Sequence, residues 1–99
     1  MPSVFIVNRS AHDYSRAADY GSLIYLSTGP MNRYEVNNMV RQFSIALTNS
    51  HPDDYLVMSG LAMMNSIATA LFAIKHGRVN FLLFKNGRYV ERNIVFPSQ

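Results

Sequence analysis

Ninety-nine residues, 48% hydrophobic and only 15% charged, describe one globular domain rather than a disordered chain. The net charge of +3 has no lysine cluster behind it, which argues against non-specific binding to duplex nucleic acid. Cysteine is absent, which excludes disulfides, thiolate metal sites and cysteine nucleophiles and fits a reducing cytoplasm.

Val4-Phe5-Ile6-Val7 is short, β-branched and bounded by polar residues, as a buried strand is. In the polar stretch that follows, Asp13 or Ser15 is placed to cap a short helix through Ala17 and Ala18 that stops at Gly21. A second strand is predicted over residues 22 to 27, broken by Gly29-Pro30. Asn32 and Glu35 have the spacing of a capping box. Val36, Met39, Val40, Phe43 and Leu47 then make one apolar stripe of a long helix with a wet opposite side. Residues 49 to 54 form a loop in which Asp53 and Asp54 read as a cap or solvated turn, and a third strand runs from about Tyr55 to Met58.

Ser59-Gly60 opens a second long helix, roughly Leu61 to Lys75, with His76 at the negative end of its dipole and Gly77 as the residue that stops it. Leu61, Met63, Met64, Ile67, Leu71, Phe72 and Ile74 surround most of its circumference, so it needs burial on more than one side. In a chain this small, and this short of charge, the second side is expected to meet another subunit. The expectation is a homo-oligomer, dimer or higher, through the 61–74 helix. Finally, Val79 to Phe84 and Tyr89 to Phe96 flank Lys85-Asn86-Gly87-Arg88, and Asn-Gly is the strongest short hairpin signal. The fold class is therefore α/β: a single small domain over residues 1–99, with an about five-stranded mixed sheet, two long helices and a C-terminal β-hairpin. The apolar stretch from Ile67 to Ile74 is too short to span a bilayer and no leader pattern is apparent, so a cytoplasmic protein without a membrane partner is expected.

The chemistry is expected where the first three strands end, in Asn8-Arg9-Ser10, Ser27-Thr28-Gly29 and Ser59-Gly60. In a parallel α/β sheet such ends gather at one edge, where backbone N–H groups and helix N-termini favour anions. The candidate ligand-binding residues are Asn8, Arg9, Ser10 and His12 from the first turn, Thr28, Asn32 and Arg33 from the second, and Ser59, Gly60 and Asn65 from the third. Each Ser, Thr or Asn alone would serve equally as a helix cap, and recurrence at three turns is what points to a phosphate-bearing small molecule. Seven arginines against two lysines add planar forks suited to phosphate. His12 is the one candidate general acid or base, although an adjacent Asp13 does not by itself orient it. The histidine spacing gives no metal pair, so neither metal nor cofactor is expected. No P-loop, dinucleotide glycine fingerprint, nucleophile elbow or helix-turn-helix signature is present.

The order strand, short segment, strand, helix, strand, helix, hairpin resembles that of the small viral type III anti-CRISPR ring nucleases. Val4-Phe5-Ile6-Val7-Asn8 looks like that family's first strand and its terminal Asn. Ser59-Gly60, with Ala68-Thr69-Ala70 downstream, is similar to its glycine turn and Thr-Ala helix, and Asn86-Gly87 sits where its hairpin falls. The family is dimeric and binds and cleaves cyclic tetra-adenylate, with a catalytic His directly after the glycine of the third strand. This chain has Leu61 there, so the resemblance implies binding of a cyclic nucleotide without cutting it and gives His12 no role. His12-Asp13-Tyr14-Ser15 and Gly77-Arg78-Val79-Asn80 are similar in style to uncharacterised small bacteriophage proteins, which imply no activity. The leading expectation is a phage-type accessory or anti-defence protein that sequesters a nucleotide or cyclic-nucleotide messenger, more a binder than an enzyme. The alternatives are an interaction module or inhibitor that meets a host protein through the apolar helix, and a phosphodiesterase-type ring nuclease using His12.

Overall fold

The computed structural model describes residues 1–97. Its strands are β1 (Ser3–Ile6), β2 (Ser22–Tyr25), β3 (Tyr55–Val57), β4 (Arg78–Lys85) and β5 (Arg88–Val95), and its long helices are α1 (Val36–Ala46) and α2 (Ala62–His76). A 3-10 turn, Ser15–Asp19, takes the place of the short helix predicted between the first two strands. The strands form one sheet in the order β2-β1-β3-β4-β5. β1 to β4 run parallel and β5 returns antiparallel, so the sheet is mixed. Asn86 and Gly87 turn the hairpin with φ of 52° and 81°, the two positive values that let the turn's twist match that of its strands.

Because side chains alternate across a strand, the apolar runs feed two cores. Phe5, Val7, Leu56, Val79 and Phe81 face the long helices and meet Met39, Phe43, Leu47, Met64, Ala68 and Phe72. Val4, Ile6, Val57 and Leu82 point to the other face, which is covered by Ala17 of the 3-10 turn and by the rings of Tyr14, Tyr20, Tyr25, Tyr55 and Tyr89. One face thus carries both helices and the other carries a thin aromatic layer. α2 buries Met64, Ala68 and Phe72, while Met63 and Ile74 stay 44% and 82% exposed with Ser66 and Ala70 between them. The chain therefore covers one side of this apolar helix and leaves the other open. No helix among the described residues is long and apolar enough to cross a membrane.

Two local expectations are corrected. The capping box does not form: Asn32 Oδ1 accepts the Tyr34 N–H at 2.9 Å, and α1 begins after Glu35 with no side-chain cap. Asn32 instead closes a turn, a conformation that competes with helix for Asn side chains. Asp54 is no solvated turn residue. It is 3% exposed, and its carboxylate accepts the N–H groups of Ser3 and His51, both at 2.8 Å, tying the amino ends of β1 and β3 together. His76 ends α2 as expected, but its surroundings disfavour its charged form. Burial first, then the neighbouring Lys75 charge, lowers its pKa from the ordinary 6.5. Its ring lies 4.6 Å from that of Phe72 and its Nε2 meets Ser50 Oγ at 2.8 Å. Ser50's own proton goes to the Leu47 carbonyl, so His76 is the donor in that contact. The cation at this end is Lys75, whose Nζ donates to the carbonyls of Leu47 and Thr48 at the end of α1.

Gly21 shows how closely β2 approaches the start of β1. A Cβ there would lie 2.1 Å from the Pro2 carbonyl oxygen, which already accepts the Ser22 N–H at 3.0 Å. The neighbour is backbone and cannot retreat without breaking that bond. Gly21→Ala is expected to destabilise by at least the ~1–3 kcal/mol typical of overpacking, read as a lower urea midpoint at unchanged slope.

Candidate ligand-binding site

From β1 the chain moves outward to β2, whereas from β3 it moves the opposite way to β4. Connections therefore diverge between β1 and β3, the kind of switch point at which open α/β sheets leave a crevice beyond the strand ends. A cleft of about 300 Å³ lies there. The tail of β1 contributes Asn8, Arg9 and Ser10, the tail of β2 contributes Gly29, Pro30 and Met31, and the turn into α2 contributes Gly60, Leu61 and Met64.

Several side chains are spent on holding these tails together. Ser59 Oγ accepts the Asn8 N–H at 2.9 Å and donates to the Asn8 carbonyl at 2.7 Å. Ser27 Oγ donates to the Val7 carbonyl at 2.7 Å and to Asn8 Oδ1 at 3.1 Å. The Ser59 N–H reaches Asn65 Oδ1 at 2.9 Å, and Asn65 Nδ2 donates to the Leu61 carbonyl. Beyond the strand proper, Arg9 and Thr28 continue the parallel pairing as an isolated bridge. Gly60 closes the arrangement with φ of +79° in the left-handed region; a Cβ there would lie 2.9 Å from both Asn8 Cβ and Met64 Sδ.

Asn8 is 8% exposed; its side-chain amide meets Ser27 Oγ at 3.1 Å and lies beside Gly60 in the cleft wall. Leu61 occupies the N-cap position of α2, where its side chain has nothing to offer, so the helix has no side-chain cap. The first-turn N–H groups and the positive dipole end of α2 therefore have no side-chain acceptor behind Leu61 and Met64. Arg9 stands at the rim with its guanidinium carbon 5.2 Å from the Tyr25 ring centre, a cation–π contact that restrains it without using its N–H donors.

The predicted residues therefore separate. Asn8, Arg9, Ser10 and Gly60 share the cleft. Arg33 lies in an adjoining recess with Tyr34, Val36, Leu61, Ala62 and Met63. Ser59 and Asn65 are framework behind the wall, with their polar atoms engaged. Thr28 and Asn32 belong to the same strand-end loop but do not line the cleft. His12 lies in a second pocket with Asp13, Tyr14 and Tyr25, which Arg9 and Ser10 also line, so that this pocket adjoins the cleft. Its ring packs edge-on to Tyr14 and Phe84, 5.0 and 5.2 Å away. The Asp13 carboxylate accepts the Ser15 N–H, a bond that holds its pKa below the usual carboxylate value. Sequence reasoning missed Met31, Leu61, Met64 and Tyr34. A readable signal existed for Leu61, since a residue that cannot cap a helix leaves its N–H groups open.

A protein-family model described as phage Pam3 gp32-like protein matches residues 2–96. No curated protein and no solved structure matches the chain, and the ring-nuclease resemblance finds no support in these comparisons. Ser59→Ala removes both hydrogen bonds to the Asn8 backbone at once. It is expected to cost about 1–3 kcal/mol in chemical denaturation, with amide exchange quickening at Asn8.

Proposed function

This chain belongs to the phage Pam3 gp32-like family, and we propose that it is an accessory protein that binds a small phosphate-bearing ligand, a nucleotide or cyclic nucleotide, in the cleft between the β1 and β3 tails. The observation that carries this reading is the first turn of α2, which has no side-chain cap and opens on a cleft that Asn8 and Arg9 also line. Phosphate is anionic and accepts hydrogen bonds, so it suits such a place. No histidine or carboxylate lines the cleft among the described residues; His12 lines the neighbouring pocket, which shares Arg9 and Ser10 with it. The activity that fits is capture of a messenger rather than its turnover, an anti-defence role in which host signalling is blunted by sequestration.

The test is a thermal-shift and calorimetric panel of cyclic and linear nucleotides with inorganic phosphate as the minimal probe. Binding to the folded form alone should stabilise by about 2.7 kcal/mol at a hundredfold excess over Kd. Arg9→Gln, a change at an exposed side chain, should weaken that binding, and the recovered nucleotide should be chemically intact. No shift with any compound at millimolar concentration defeats the reading.

Self-association belongs to the same proposal. Met63, Ser66, Ala70 and Ile74 recur along the open side of α2, so one subunit leaves an apolar strip that a second copy would cover. Light scattering should report a dimer or larger, reduced to monomer by Ile74→Asp. A native monomer removes this part.

A further inference from the structure

Resting on the phosphate cleft proposed above, we infer that the recess beside it holds a flat heteroaromatic ring, so that the ligand is a nucleoside phosphate rather than a phosphorylated sugar or phosphate alone. The recess has a volume of about 430 Å³ and lies where α1 and α2 begin, between Tyr34 and Val36 on one side and Leu61 and Met63 on the other. It shares Leu61 with the cleft, so the two hollows adjoin. The volume is within the ordinary range for small-ligand sites.

Tyr34 is the key feature. It is 83% exposed, yet its backbone is held, because Asn32 accepts the Tyr34 N–H through its side chain and the Glu35 N–H through its carbonyl, at 2.9 and 3.1 Å. The five other tyrosines are buried or half-buried in the aromatic layer on the far face of the sheet. Tyr34 packs in neither core. An exposed aromatic ring on a held backbone, in a recess that Met63 and Arg33 also line, is a stacking surface. Bases stack on tyrosine through their faces, guanidinium planes stack on bases, and methionine adapts to either. No carboxylate lines the recess, so its only formal charge is the Arg33 cation, which complements a phosphate-bearing ligand.

The test compares AMP with ribose 5-phosphate by calorimetry on the full chain. AMP should bind at least about tenfold more tightly, and Tyr34→Ala should remove about tenfold of AMP affinity while leaving ribose 5-phosphate unchanged, within the range of single base–aromatic stacks. Tyr34→Trp should restore AMP affinity. The chain has no other tryptophan, so quenching of the variant's emission by AMP, but not by ribose 5-phosphate, reports the ring in place. Equal affinity for the two compounds, unaltered by Tyr34→Ala, overturns the inference while leaving the phosphate cleft standing. Absence of binding by both compounds overturns the two together.

Discussion

The two hydrogen bonds that Ser59 exchanges with the backbone of Asn8 join parts of the chain that are 51 residues apart, and the geometry of the cleft follows from them. β1 and β3 pair over only three registered residues, from Val4–Tyr55 to Ile6–Val57. Past that point the backbone of β3 turns away through the left-handed Gly60 into α2, and no ladder partner is left for Asn8. The Ser59 hydroxyl takes the ladder's place, accepting from the N–H and donating to the carbonyl of the same residue. A buried peptide group is thereby satisfied, and two tails leaving for opposite faces of the sheet are kept side by side.

The two faces are closed by different means. Beneath α1 and α2 the core is aliphatic and aromatic side chains without polar ends, apart from the helix backbones. On the other face five tyrosines cover the sheet, and three of their hydroxyls are bonded: Tyr20 donates to the Tyr89 carbonyl, Tyr55 to Glu91, and Tyr14 pairs with Ser10. The Tyr89 hydroxyl is buried without a partner among the described residues, and burial raises its pKa. Tyrosine suits a thin layer of this kind, combining a large apolar area with a tip that stays satisfied at the edge.

Ser27, Ser59 and Asn65 spend their hydrogen bonds on the framework that fixes Asn8 and the turn into α2. Groups supported in this way need little reordering, which is what preorganisation requires.

How much of this was legible in the chain follows from the range of each interaction. Period-two and helical apolar patterns, the Asn86-Gly87 turn and the small polar residues after each short strand are local features, so the α/β class, the two long helices, the hairpin and the gathering of strand ends were all readable from the residues. Local pattern could not say which hydroxyl would be free. Ser59 and Asn65 read as ligand groups, whereas in the fold their polar atoms bond to Asn8, Leu61 and each other, and His12 packs on Tyr14 and Phe84. The buried Asp54, the His76 ring bonded to Ser50 and the exposed Tyr34 were equally closed to sequence reading, because each depends on what approaches from 20 or more residues away or on nothing approaching at all. Sequence determines the elements through short-range backbone preference and periodicity; only tertiary packing decides which polar atoms are already satisfied, and so which remain to bind.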